Sequence, residues 1–239
     1  WEAARTTIES ALNFTIIGIE QCESNRHFVL HMAEGRSALS GYVAWSDAYM
    51  VPEDTKIVLG VNAADIPVSI DFSKIPHWLL AAATGMGKTK LVQLILHQLV
   101  IKDYAIYLAD YKGVDFGPQY RSKGHYANND ADLEAMLGTV LAELDHRRTL
   151  FSAIGCANTK EYVQTTGERM QPIVVLLDET SMILDGTGRD KDGKATIASL
   201  TNKLLKIGRL GRAFAIYLVV ATQRTDVNSV PGSLKAQLD

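Results

Sequence analysis

The chain has 239 residues, of which 47% are hydrophobic and 21% charged, enough apolar material for a substantial buried core in an ordinary globular protein. Its formal net charge of −3 excludes a broadly cationic nucleic-acid binder, so any phosphate contact must come from local basic clusters. Cys22 and Cys156 stand far apart with no CxxC or His-rich neighbourhood, which argues against a disulfide framework or a zinc site, and the longest apolar runs fall well short of the roughly 20 residues that cross a bilayer. A reducing, cytosolic setting is expected, and the beginning at Trp1 and end at Asp239 read as cuts within something longer.

Two β-rich stretches, residues 14–19 and 27–31, flank the polar segment 21–26 and predict a hairpin, so residues 1–54 are expected to form a small α/β or β-rich module. Residues 56–60 and 67–71 predict a second short strand pair around the turn-prone segment 62–65. From Trp78 the pattern becomes apolar strand, loop, amphipathic helix, apolar strand: strands at 78–83, 105–109, 173–177 and 216–221, and helices at 88–101, 130–151 and 196–210. Continuous apolar strands alternating with helices require a parallel sheet covered on both faces. The fold class is therefore α/β, with a main domain over residues 55–239. The polar, glycine-rich segment 185–194 reads as a loop.

After the first of those strands, residues 82–89 match the Walker A phosphate-loop pattern except that Ala82 replaces the first glycine. Thr84, Gly85, Met86 and Gly87 would present backbone N–H groups to phosphate, Lys88 would bring a cation to the terminal phosphates, and Thr89 would offer its hydroxyl to Mg2+. Lys90 follows on the helix whose positive end faces the same anion. Ala82 is expected to keep an ordinary, negative φ. The apolar strand 173–177 ends in Asp178 and Glu179, where α/β sheets gather ligands. Asp178 is the candidate metal ligand, and Glu179 the residue that orients or activates the attacking water. Gln223, ending the strand 216–221, is a candidate sensor of the terminal phosphate; Asp110 is a weaker case of the same kind, and His77, Trp78 and Met86 are expected to pack. No NKxD motif follows, so ATP is the expected nucleotide.

These landmarks together resemble the FtsK/SpoIIIE family: Pro76 to Leu80 before the loop, Asp110 to Gly113 at the place of the family's DPKG segment, Leu144 to Arg148 at its MDRR-like helix, and Ala221 to Arg224 at its ATQR strand end. The resemblance spans about residues 55–234, with departures at Ala82 and Tyr111. It implies a RecA-like P-loop NTPase core that is C-terminally incomplete here, working as a homo-oligomeric, hexameric ring that hydrolyses ATP and moves double-stranded DNA. It further implies the cytoplasmic face of the membrane, an anchor outside this chain, and a place in conjugation or division machinery, the divergence favouring the conjugation type. Arg147 and Arg148 are its candidate trans-acting cations, on an exposed helix, with Arg212 competing. A type VII secretion-like protein-export ATPase and a non-hydrolysing assembly module are the alternatives, the second weakened by the intact Asp178 and Glu179.

Between Gly193 and Thr225 the charged residues are all basic, and Lys203, Lys206, Arg209 and Arg212 recur every three residues as a slowly winding stripe. The loop carrying Arg189, Lys191 and Lys194 follows the Asp178 strand, where such motors extend a pore loop, and is the candidate DNA-backbone contact.

Overall fold

The structure, a computed structural model, describes residues 2–21, 28–34, 42–62, 65–121, 124–223 and 230–238. By its internal contacts the chain divides into two units, Trp1–Pro52 with Val58–Ile70, and Glu53–Ile57 with Asp71–Asp239.

In the first unit a helix, α1 (Glu2–Leu12), leads into an antiparallel pair, β1 (Phe14–Gln21) and β2 (Phe28–Glu34), in register from Phe14 opposite Glu34 to Gln21 opposite Phe28, with an irregularity between Ile16 and Gly18. The helix is pinned to the strand at Ile16: its N–H donates to the Glu9 carboxylate at 2.8 Å, and the Arg5 guanidinium donates to its carbonyl at 2.8 Å. The expected hairpin partners are thus present, while the connecting residues 22–27 lie outside the described residues. β3 (Lys56–Val61) and β4 (Pro67–Asp71) form the second expected strand pair, closed where the Asn62 side chain accepts from the Ile66 N–H at 3.0 Å.

The main unit runs β5 (His77–Ala81), α2 (Lys88–Ile101), β6 (Ala105–Asp110), α3 (Pro118–Arg121), β7 (Gly124–Ala127), α4 (Asp130–Ile154), α5 (Thr159–Thr166), β8 (Ile173–Asp178), α6 (Thr180–Leu184), α7 (Lys191–Leu210), β9 (Ile216–Thr222) and α8 (Gly232–Lys235). Its five strands are all parallel, in the order β5-β9-β8-β6-β7. The chain leaves β5 for β6, and β8 and β9 later fill the space between them. That reversal of strand order opens a crevice at the carboxyl ends of the strands, where open α/β sheets bind ligands.

β8 and β9 are buried at every residue, which explains why they read as unbroken apolar runs rather than alternations. Tyr107, Val175, Leu177, Leu218 and Val220 join Leu133, Leu137, Val140 and Leu144 of α4 and Leu200, Leu204 and Ile207 of α7 in one core. The intervening residues Ile106, Leu108, Val174, Leu176 and Val219 point to the opposite face and are equally buried. Next to β5, Phe72 stacks on Trp78 at a ring separation of 4.0 Å and on Tyr217 at 4.7 Å. Burial there pushes the Tyr217 hydroxyl up to about 12.

His77 and Trp78 pack as expected; His77 is buried and its Nδ1 accepts from the Leu218 N–H at 3.1 Å. Met86 does not pack: 76% of its surface is exposed, because it stands at the tip of the loop between β5 and α2. The expected loop 185–194 is shorter than its composition suggests. Asp190 caps α7, accepting from the Gly193 N–H at 2.8 Å, so Lys191 and Lys194 belong to the helix's first turn. Among the described residues no helix is long and apolar enough to cross a membrane.

Candidate nucleotide-binding and hydrolysis site

The loop from β5 to α2 turns where the Met86 N–H donates to the Ala83 carbonyl at 3.1 Å. Gly85 and Gly87 have φ of 81° and 89°, the left-handed region that disfavours side chains, and an added Cβ would meet nothing within 4 Å at either position. Glycine is required there by dihedral angle and by the open space a phosphate needs, not by crowding. Ala82 is absent from the positive-φ residues and donates its N–H to Thr222 at 3.3 Å, so the missing first glycine leaves the loop unstrained. α2 starts at Lys88, with its unpaired N–H groups and positive end toward the loop. The loop, Lys112, Asp115 and Gln223 enclose a cavity of about 420 Å³.

The carboxyl end of β8 lies beside this cavity, joined to it through Lys88. Asp178 and Glu179 are 1% and 5% exposed. The Lys88 ammonium lies 2.5 Å from Asp178 Oδ1 and 3.4 Å from Glu179 Oε2, and the Lys112 ammonium lies 3.4 Å from the same Glu179 oxygen. Glu179 Oε1 accepts from the Ser181 hydroxyl at 2.7 Å and from the Gln223 N–H at 3.3 Å. Burial alone would raise the Glu179 carboxyl, but the hydrogen bonds from Ser181 and Gln223 and the charges of Lys88 and Lys112 outweigh it and hold it below 4.5. Glu179 is thus ionised at neutral pH, as a base or water-orienting group must be. Its φ of 52° is a rare conformation for a glutamate and swings the chain directly from β8 into α6. The Gln223 amide oxygen accepts from the Thr84 hydroxyl at 2.7 Å, linking the end of β9 to the phosphate loop.

The residues fit a divalent cation. Asp178 Oδ2 is buried and meets no hydrogen-bond donor among the described residues, a costly state for a carboxylate oxygen unless a cation or water satisfies it. Thr89 stands one residue into α2, on the wall of the same cavity. When bound, Mg2+ supplies charge neutralisation at phosphate oxygens; Thr89 and Asp178 are the residues that would hold it.

The sequence model of the FtsK/SpoIIIE family matches residues 45–205, more than half of the chain. The chain belongs to the FtsK/SpoIIIE family. It is 31% identical over 193 residues to the DNA translocase SftA of Bacillus subtilis and 28% identical over 197 residues to the DNA translocase FtsK of Chlorobaculum tepidum, covering 75% of this chain in each case. It spans only 19% and 23% of those two relatives. Among solved structures, the pCW3 conjugation coupling protein TcpA in its monomer form with ATPγS superposes with a TM-score of 0.79 at 30% identity, covering all of this chain and 68% of that one. The type VII secretion ATPase EccC of Thermomonospora curvata, at 21% identity and a TM-score of 0.62 over 77% of this chain and 23% of that one, shares the fold. The P-loop ATPase fold expected from the sequence is therefore the fold of this family, and the conjugation-type resemblance agrees with the TcpA match.

Arg147 departs from expectation. It is 4% exposed rather than on an open helix face: its guanidinium donates to the carbonyls of Phe214 at 2.8 Å and Gln171 at 2.9 Å, and to Glu143 at 2.7 Å. All its donor edges serve the interior, so it is a structural arginine. Arg148, one residue on, keeps 60% of its side chain exposed beside Asp145. The expected basic stripe is also partly consumed within the fold. Lys203 pairs with Glu134 at 2.8 Å and Lys206 with Asp145 at 3.1 Å, tying α7 to α4, and Arg212 donates to the Ser73 carbonyl at 3.1 Å. Arg189 is paired with Asp130, whose other oxygen accepts from the Tyr111 hydroxyl. Lys90, Lys191 and Lys194 are exposed, and Arg224 lies outside the described residues. Lys112 and Ser181, which touch Glu179, were not singled out in the sequence; Lys112 is the cation of the DPKG-like segment, and that charge was the available signal.

Proposed function

We propose that this chain is the ATP-hydrolysing motor core of a ring that translocates double-stranded DNA in conjugative transfer or chromosome segregation. The observation that carries the reading is the convergence on Glu179 of Lys88 and Lys112 charges, a Ser181 hydroxyl and the Gln223 backbone, beside a strain-free phosphate loop. Phosphoryl transfer demands mainly positioning and charge neutralisation. Lys88 and the loop N–H groups hold the triphosphate, Thr89 and Asp178 hold Mg2+, Glu179 aligns the attacking water and accepts its proton, and Gln223 reports the state of the terminal phosphate to β9. DNA translocase names among the relatives and the conjugation coupling-protein name of TcpA support DNA as the cargo. The motor works as a homo-oligomer, in hexameric form, on the cytoplasmic face of a membrane, with its anchor outside this segment. Arg148 and Arg212 are the candidates for the cation a neighbouring subunit contributes, and Lys191 and Lys194 for the DNA-backbone contact, with Arg189 after release from Asp130.

The test is turnover of ATP by the purified protein with and without duplex DNA, against Glu179→Gln. Stimulation by DNA, and a loss of at least about 100-fold in the variant with nucleotide binding retained, are expected. Equal turnover in the two proteins would point to a nucleotide clamp, and stimulation by a secreted peptide but not by DNA to protein export.

A further inference from the structure

The mechanism above makes no use of Asp110 or Asp115. Asp110 ends β6 in register with Asp178 at the end of β8, so the two carboxylates leave neighbouring parallel strands at the same level and on the same face. Asp110 is 0% exposed and Asp178 1% exposed. Asp115 comes from the loop after β6 and lines the phosphate cavity. One oxygen from each of the three lies within 4.8 Å of the others.

Three carboxylates this close, two of them out of water, need positive charge between them. The donors at hand do not supply enough. Asp110 accepts from the Gly113 N–H at 3.0 Å and the Tyr126 hydroxyl at 3.3 Å, both neutral groups. Lys88 takes only Asp178 Oδ1 and is shared with Glu179, while Lys112 reaches Glu179. Asp178 Oδ2 is the buried oxygen that meets no donor among the described residues. An all-oxygen, all-carboxylate set suits a hard divalent ion. Opposite ligands of an octahedral Mg2+ stand roughly 4.2 Å apart, so the observed spacing closes on the ion with a small side-chain adjustment.

We propose that Asp110, Asp115 and Asp178 form one divalent-cation site that takes up Mg2+ or Mn2+ before nucleotide arrives, with Asp110 and Asp115 as positioning residues for the ion that the triphosphate then meets. This deepens the nucleotide-site reading and rests on it only for the ion's use, not for its binding. The post-β6 loop is tied to α2 where Gln93 donates to the Asp115 carbonyl at 2.8 Å, which fixes that residue's position.

The experiment is Mn2+ binding followed by electron paramagnetic resonance, on protein free of nucleotide and DNA. Wild type should take one Mn2+ more tightly than about 1 mM, competed by Mg2+. Asp115→Asn, at the half-exposed member, should weaken that affinity by at least about 10-fold, and Asp110→Asn by more, while Asp103→Asn at a remote exposed carboxylate should not change it. Asp115→Asn should keep the wild-type melting temperature, so that a lost affinity reads the cation site and not unfolding. Absence of Mn2+ binding to wild type in the millimolar range, or an Asp115→Asn affinity equal to wild type, overturns the proposal. Intact Mn2+ binding without nucleotide binding upholds the cation site and sinks the ATPase reading instead.

Discussion

The burial of Arg147 carries a quantitative expectation. Arg147→Ala removes the donors of the Phe214 and Gln171 carbonyls and the partner of Glu143. Each carbonyl left without a donor costs about 1–3 kcal/mol. The half-exposed Glu143 regains water and adds little. The sum is roughly 2–6 kcal/mol, which in a domain of this size lowers the melting temperature by roughly 4–24 °C. Arg148→Ala, which loses only an exposed contact to Asp145, should stay within about 0.5 kcal/mol of wild type. Urea midpoints and circular-dichroism melts of both variants are the assay, with Arg147→Lys as a third arm, since a single ammonium cannot span two carbonyls and a carboxylate. If Arg147→Ala kept its midpoint within about 1 kcal/mol of wild type yet abolished ATP turnover in mixed rings, the structural assignment would be wrong, and Arg147 would return as the trans-acting cation.

Gly87→Ala forces a side chain to φ of 89°, costing about 1–2 kcal/mol in folding, and because the added methyl points into open space its larger effect should be weakened nucleotide binding, read by titration. The lowered Glu179 carboxyl contributes stability that is present above 4.5 and is lost as pH falls through its lower folded value; in Glu179→Gln, urea midpoints measured from pH 3 to 6 should therefore depend less steeply on pH than in wild type. In DNA binding, the double variant Lys191→Ala, Lys194→Ala should reduce the salt-dependence slope by about 1.8. Adding Arg189→Ala should change it little further if Arg189 stays with Asp130, and by about 0.9 more if DNA releases it.

Much of the main unit was legible because a parallel sheet covered on both faces leaves unbroken apolar runs. β8 and β9 stand where residues 173–177 and 216–221 predict them, and α2 begins at Lys88, where the glycines end. β7 was not legible: Gly124–Ala127 has four residues and, among the described residues, pairs with β6 alone at the sheet edge, so its extended shape comes from its neighbour. The cap of α7 was in view, since Asp190 with Asp192 in the first turn is a start signal, but Gly193 and the surrounding charges resembled a loop. Arg147 was also readable in hindsight. The buried positions Leu133, Leu137, Val140, Leu144 and Phe151 leave 147 on the same stripe and 148 off it, and charge alone suggested exposure for both. No sequence pattern places Asp115 on the phosphate cavity; the loop after β6 does so through the hydrogen bond from Gln93 to the Asp115 carbonyl.

The charges around the phosphate cavity constrain how it fills. Lys88, Lys90 and Lys112 line the cavity beside four carboxylates, Asp110, Asp115, Asp178 and Glu179, so the acidic groups outnumber the basic ones. A triphosphate would bring more, and on the proposed reading Lys88 would at the same time exchange its 2.5 Å pairing with Asp178 for phosphate oxygens. Removing Lys88 from two buried carboxylates without replacement would leave uncompensated charge, a larger penalty than one new hydrogen bond to phosphate can offset. On the proposed reading Asp178 would hold a divalent ion, whose charge would offset the carboxylates as Lys88 turns to phosphate. Lys112, 3.4 Å away and outside the exchange, adds to the hydrogen bonds from Ser181 and Gln223 that hold the Glu179 carboxyl low. On that reading the pairing of Lys88 with Asp178 is the resting arrangement of an exchangeable site, with the ion arriving no later than the nucleotide.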